Sequence, residues 1–368
     1  MKLRSERDSL VEILTIAARA VSTRGGAQSV LAGVHLSLRD ATLRAVGTDL
    51  DVTISAETAV GGEDDGVCVV PARLAADIVR ALDPGSVVLE TSDDDVRISS
   101  GRSQFSVRTF PAGDFPRAPL NPAEPSNAVT LDAAAFTDAL RQVVRAASSD
   151  DARPILTGVL MSAESGGLRL VATDSYRLAV RDLPGASVLR EGQQVLVPSR
   201  ALAELQRLLS SGAEVTLQLA EHDATFQVGT TRLTTRLIEG EFPNYRQLIP
   251  ESYPNRVTVA KEALLDALRR VKLLVRDATT PARLTLSADV MNLSVVSTEV
   301  GQASEDIDAK FEGSDMVVAF NPAYLIEGIE AVSGDEVLIE IAGALRPAVV
   351  RAVGADDFLY LLMPVRVS

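Results

Sequence analysis

A single cysteine, Cys68, in 368 residues leaves no intrachain disulfide to form, and two histidines, His35 and His222, cannot build a Cys/His cluster with zinc-ligand spacing. Both histidines stand in strand-like or turn-like contexts and read as surface or half-buried side chains. Tryptophan is absent and aromatics make up 4%, so a core has to be built from Val, Leu, Ile and Ala. No run of about 18 apolar residues occurs, and the opening MKLRSERDSL carries charges where a secretory signal needs an apolar stretch. The chain is therefore expected to be soluble and cytoplasmic, with no membrane partner. There is no GxxxxGK[ST] loop, no HExxH and no GxSxG elbow. The acidic stretch GGEDDG around Asp64 fits no calcium loop and reads as a solvated turn. The run Asp93 to Asp95 reads as a hairpin tip. Neither a metal nor a cofactor is expected.

What the chain does contain is repetition. Three segments share a short apolar strand, a proline and an amphipathic helix: VVPARLAADIVRAL around Pro71, LVPSRALAELQRLL around Pro198 and AFNPAYLIEGIEAV around Pro322, with prolines 127 and 124 residues apart. Proline in a first helical turn loses no hydrogen bond and has its φ already set. Each helix ends at a glycine (Gly85, Gly212, Gly334) followed by an alternating strand. GDFPRAP at Phe115 and GEFPNYR at Phe242 recur at 127, and the aspartates of AVGTDLDV (Asp49) and VATDSYRLAV (Asp174) at 125. Each unit also opens with an amphipathic helix, the first carrying Leu10, Ile13, Leu14, Ala17 and Val21 on one face. The order helix, strands, helix, strands predicts an α+β chain of three homologous domains, 1–124, 125–252 and 253–368, with proline-rich junctions near 122–129 and 250–257.

The best catalytic candidate is the cluster Asp174, Ser175, Tyr176 and Arg177, but the counterpart of Asp174 at Asp49 points to a turn that the repeat requires rather than to chemistry. Charge is more informative. The whole chain carries −14, yet the six expected helix segments (8–22, 71–82, 134–148, 198–209, 261–276 and 322–332) sum to +3, leaving −17 on the rest. Mildly basic helices on an acidic body suit a local surface that meets phosphates while other faces repel them.

The triple repeat, together with ATDSYRLAV, VPSRALAEL, EGEFPNYRQLIP, AFNPAYL and the terminal YLLMPVRV, resembles the bacterial DNA polymerase III β subunit family, the DNA sliding clamps, over essentially the whole chain. The resemblance implies a non-catalytic, nucleoid-associated processivity factor. It implies a head-to-tail homodimer closed as a ring around duplex DNA, with helices lining the inside and antiparallel sheets outside. Helix spacing agrees. Six helices packed about 9 Å apart leave a bore of about 8 Å, whereas twelve leave about 25 Å, enough for a duplex of about 20 Å, so two chains are needed. Basic residues expected near DNA are Arg24, Arg73, Arg80, Arg141, Arg145, Arg200, Arg207, Arg269 and Lys272.

Two protein-binding surfaces follow from the same resemblance. A cleft for short peptides of the polymerase catalytic subunit, the clamp loader and other clients maps to Leu156, Thr173, Ser175, Leu178, Pro243, Gln247, Leu248, Asn321, Tyr324, Leu345, Leu362, Met363, Pro364, Val365 and Arg366. Gln247 stands where many relatives have Arg, and Thr279 where some have an aromatic residue. The dimer seam maps to Phe105 and Val107 against Leu273 and Leu274, with Arg97 and Arg102 opposite Glu299, Glu305 or Asp306. A reading of another class is a triplicated peptide-binding hub without a DNA role.

Overall fold

A computed structural model describes residues 1–22, 29–117, 128–164, 166–186, 188–209, 214–277 and 280–366. Arg24, Gly212, Thr279 and most of the first proline-rich junction lie outside the described residues. Among the described residues there are six α-helices: α1 (Arg7–Ala18), α2 (Ala72–Ala81), α3 (Ala133–Val143), α4 (Ser199–Leu209), α5 (Lys261–Val271) and α6 (Pro322–Ala331). All six were expected, although α3 and α5 end in tighter 3-10 turns, Val144–Ala146 and Lys272–Leu274. Pro71 is the N-cap of α2 and Pro322 the first residue of α6, whose cap is the side chain of Asn321, accepting from the N–H groups of Ala323 and Tyr324 at 2.9 and 3.3 Å. The expected glycine stops are displaced: α2 and α6 end at Leu82 and Val332 in extended conformation, and Gly85 and Gly334, with φ of +124° and +86°, turn the chain into the next strand.

The chain packs as two compact units. The first comprises Met1–Ala134 and Glu204–Leu237. It holds a five-stranded antiparallel sheet in the order Gly61–Asp64, Lys2–Glu6, Ser86–Thr91, Asp95–Ser100, Ser103–Arg108. Its second sheet has eight strands: Val129–Asp132, Glu214–Leu219, Asp223–Val228, Thr231–Arg236, Val52–Ala59, Thr42–Thr48, Gly33–Arg39 and Gly66–Pro71. The stripes of α1 (Leu10, Ile13, Leu14, Ala17) and α2 (Ala75, Ala76, Val79) share one core with Leu36, Leu43, Leu89 and Ile98. GGEDDG is not the expected solvated turn: Gly61–Asp64 is an exposed edge strand on Lys2–Glu6, where Lys2 meets Glu63 at 2.9 Å. Asp93 and Asp94 do form a hairpin tip, between Ser86–Thr91 and Asp95–Ser100.

The second unit comprises Ala135–Ala203 and Ile238–Ser368, around a twelve-stranded sheet. In both units the sheet runs on from one repeat to the next. Val52–Ala56 pairs with Thr231–Thr235 in the first unit, and Arg177–Arg181 with Phe358–Leu362 in the second. A glycine inside α6, Gly328, makes room for the ring of Tyr360, which a Cβ there would approach to 2.4 Å.

His35 is not half-buried but 5% exposed, packed at 5.2 Å against Phe115, while His222 is exposed. The Cys68 thiol is buried and its pKa is pushed up to about 12 by that burial, which leaves it unreactive at neutral pH. Burial, helped by the charge of Arg44, lowers the His35 pKa from its ordinary 6.5. A histidine held neutral in the fold contributes stability that is complete above the unfolded value and drains away as pH falls through the folded one. The melting midpoint is expected to drop as pH is lowered below about 6.5, and His35→Phe to remove that part of the dependence, measured by thermal denaturation across pH.

Candidate functional site

The expected peptide cleft is built on a turn. Ser175 has φ of +82°, and the turn around it is closed by side chains. Asp174 Oδ1 accepts from the N–H groups of Tyr176 and Arg177 at 2.9 and 3.0 Å, and Thr173 Oγ1 donates to the carbonyl of Arg177 at 2.6 Å. The first repeat makes the same turn: Leu50 has φ of +81°, Asp49 Oδ1 accepts from Asp51 and Val52 at 3.2 and 2.8 Å, and Thr48 Oγ1 donates to the Val52 carbonyl at 3.1 Å. The structural role expected for Asp174 is thus observed. Its other oxygen accepts from Arg177 Nε at 3.0 Å, so the carboxylate is fully engaged.

Arg177, whose counterpart in the first repeat is Val52, is the residue that makes the second turn different. Its guanidinium is buried and donates to Asp174, to Glu327, to the Tyr360 hydroxyl at 3.3 Å and to the Arg145 carbonyl, and it lies 4.3 Å from the centre of the Tyr324 ring. Burial works against its charge, but Tyr360 and Glu327 outweigh that and raise its pKa above the ordinary guanidinium value. Tyr360 donates to the Tyr324 carbonyl at 3.0 Å, and burial raises its phenol pKa. Tyr324 in turn stacks on Tyr176 at 6.5 Å between centroids, and Tyr176 is 60% exposed. Arg153 donates to the Ser175 hydroxyl at 3.1 Å.

The chain end closes the group. The Met363 N–H donates to the Tyr176 carbonyl at 2.9 Å and the Val365 N–H to the Ala319 carbonyl at 2.7 Å. Leu156, Thr173, Leu178 and Leu362 are buried; Asn321, Tyr324, Pro364 and Val365 are half-buried; Ser175, Pro243, Gln247, Leu248, Leu345, Met363 and Arg366 are exposed. Leu178 and Leu361 face each other across the strand pairing, in a core cluster against which Phe242, Tyr245 and Ile249 pack, and that places Pro243, Gln247 and Leu248 beside it. Leu345 stands in the loop between Glu336–Ile341 and Ala348–Ala352, the latter paired with Phe358–Leu362. Arg153, Glu327 and Tyr360 were not singled out from the sequence. For Tyr360 the available signal was a tyrosine within the otherwise apolar strand FLYLL.

Among the basic helix residues, Arg73, Arg200 and Lys272 are exposed. Arg80 pairs with Asp77 at 2.7 Å, Arg207 with Glu204, Arg141 with Asp138 at 3.6 Å, Arg145 with Glu330 at 3.1 Å, and Arg269 with both Asp266 and Glu330, at 3.4 and 3.1 Å. Arg145 and Arg269 are thereby brought to the C-terminal end of α6, where Arg141 also donates to the Glu330 carbonyl at 3.1 Å.

Of the expected seam, Phe105 lies on Ser103–Arg108, an edge strand, and is 40% exposed; Leu273 is 77% exposed and Leu274 half-buried. Val107 departs from expectation. It shares a sheet face with Phe105 but is 6% exposed, a member of the core that also holds the stripes of α1 and α2. Arg97 and Arg102 are exposed, the former 3.9 Å from Glu90. Glu299 is exposed, but Glu305 is already held by Arg270 and Asp306 accepts from Asn292 Nδ2 at 2.6 Å, so both acids have partners within the chain. Among the described residues, no group of three or more His, Cys, Asp or Glu side chains could hold a metal ion.

Comparison with known proteins covers the whole chain. Residues 1–119, 130–244 and 246–366 match the family models of the N-terminal, central and C-terminal domains of the DNA polymerase III beta subunit. The beta sliding clamp of Streptomyces coelicolor is 33% identical over the full length of both chains, and that of Synechococcus elongatus 33% identical over all of this chain and 99% of the other. Among solved structures, the sliding clamp from Bartonella birtlesii bound to griselimycin superposes with a TM-score of 0.93 at 29% identity, and the Bacillus subtilis clamp with 0.91 at 28%, each over the whole of both chains. By all three domain matches and full-length likeness, the chain belongs to the DNA polymerase III beta subunit family, the beta sliding clamps.

Proposed function

We propose that two copies of this chain, joined head to tail, close a ring around duplex DNA, and that the cleft at the Thr173–Arg177 turn tethers the replicative polymerase and other clients. As a sliding clamp the protein is a non-catalytic processivity subunit, and it works with DNA and a polymerase. The observation that carries the reading is the match of all three clamp domains in order along one chain, joined to basic side chains gathered on helices of an otherwise acidic protein. A hub without a DNA role is not favoured. We assign the three domains to 1–124, 125–252 and 253–368, and the site of action to the cytoplasm. Among the described residues, no helix is long and apolar enough to cross a membrane.

The DNA surface is assigned to Arg24, Arg73, Arg80, Arg141, Arg145, Arg200, Arg207, Arg269 and Lys272. Contacts of that kind are to phosphates and carry no sequence preference. The cleft suits apolar anchors of a linear peptide, with Leu178 and Leu362 in its floor, Met363 and Leu248 at its rim, and Tyr324 held by Arg177 and Tyr360. The seam is assigned to Phe105 with Leu273 and Leu274, supported by the exposure of Phe105 and Leu273 and by an edge strand that needs cover, with Arg97 and Arg102 opposite Glu299.

Retention on DNA tests the central claim. Clamps loaded on closed circular duplex should survive gel filtration and be lost once the circle is cut; equal loss from both forms would refute encirclement. Phe105→Glu should yield monomers by light scattering, and an intact dimer would remove Phe105 from the seam. Deleting residues 363–368 should abolish calorimetric binding of a peptide copied from the polymerase's clamp-binding segment while leaving the dimer. Unchanged affinity would place the cleft elsewhere.

A further inference from the structure

We propose that Glu330 is a built-in counter-charge that takes Arg145 and Arg269 back from passing phosphates, and so limits how tightly the helix layer grips DNA. The proposal rests on the reading that the basic helices face the duplex. Glu330 stands in the last turn of α6 and spends one oxygen on each arginine. Oε2 accepts from Arg145 Nη1 at 3.1 Å and Oε1 from Arg269 Nη2 at 3.1 Å. The two arginines come from different helices, Arg145 from the 3-10 extension of α3 and Arg269 from α5.

The backbone of the same turn draws in further cations. The Glu330 carbonyl accepts from Arg141 Nη1 at 3.1 Å and Lys261 Nζ at 3.5 Å, and the Val332 carbonyl from Lys261 at 2.6 Å. Four cations thus converge on one helix end, whose free carbonyls carry the negative end of the helix dipole. The side-chain acids there include Glu330 itself, Asp138 beside Arg141, and Asp266 and Glu262 near Arg269.

Exposure makes these pairs exchangeable. The Arg145 and Arg269 side chains keep 60% and 50% of their surface open, and Glu330 34%, so the ion pairs sit in a solvent-screened setting where they are weak and short-lived. A guanidinium that leaves Glu330 for a phosphate trades one oxyanion for another, and when the phosphate moves on, the carboxylate is there to receive it. Contacts whose energy hardly changes as DNA advances are what sliding requires. The arrangement has a second instance in the first unit, where Glu204 of α4 holds both Arg207 and, at 3.5 Å, Arg19 of α1.

The full-length variants Glu330→Gln and Glu204→Gln test this, since glutamine keeps the side-chain shape and removes the charge. Two measurements apply: the salt dependence of association with a labelled duplex, and single-molecule diffusion along linear duplex. The slope of log K against log salt should steepen by about 0.9 for each arginine turned over to phosphate, and diffusion should slow several-fold. Thermal melting monitors folding, and should one variant prove unstable the other carries the test. The companion Arg73→Glu/Lys272→Glu variant, which leaves both carboxylates in place, separates the two ways to fail. If it leaves duplex association unchanged, the helices do not face DNA and the proposal falls with that reading. If it weakens association while both glutamine variants behave like the unaltered chain, the counter-charge role alone is overturned.

Discussion

The pairing of Arg177–Arg181 with Phe358–Leu362 is the join on which the proposed cleft depends. Backbone hydrogen bonds carry one sheet from the second repeat into the third, so Leu178, Val180, Val349 and Leu361 become a single core rather than two. The first unit makes an equivalent join between Val52–Ala56 and Thr231–Thr235, with the same preceding turn. The geometry is common to both; the chemistry is not. Where the second join has Arg177, Leu178, Leu361 and Leu362, the first has Val52, Thr53, Thr234 and Thr235. Threonines there satisfy one another, Thr48 with Thr53 at 2.8 Å and Thr225 with Thr234 at 3.1 Å. A surface of paired hydroxyls offers little to an apolar anchor, and that difference sets the second join apart as the proposed peptide cleft.

Arg177 bears the cost of that specialisation. A guanidinium taken out of water is strongly unfavourable unless every donor is met. Here two carboxylates, a phenol oxygen, a backbone carbonyl and an aromatic face meet it. The return is positional: Tyr324 is held at its ring face by the cation, at its carbonyl by Tyr360 and at its backbone N–H by the Asn321 cap of α6. Gly328 belongs to the same arrangement, since any larger residue would push Tyr360 away from its partners.

Charge on the helices follows a different logic. Surface ion pairs with half-open side chains contribute little to folding, and pairing most of the helix arginines with acids does not make the protein markedly more stable. It does lower the effective charge that the helices present. A protein that must hold DNA without stopping on it gains from arginines that always have another oxyanion within reach.

Repeat, helices and family were legible in the sequence because they rest on local rules. Period-3.6 stripes, prolines at helix starts, glycines in the turns that follow the helices and the Asp49 and Asp174 turns are each decided by a few neighbouring residues. Side-chain partnership was not legible. Val107 and Phe105 occupy equivalent alternation positions, and only the packing of the first unit's core buries one and exposes the other. Glu305 and Asp306 were open acids in the sequence and are satisfied by Arg270 and Asn292 in the fold. Composition determined that the helices carry the spare positive charge. Tertiary packing alone decided that Arg145 and Arg269, 124 positions apart, share Glu330, because an ion pair forms by distance in space and sequence spacing sets that distance only within a helix or a hairpin.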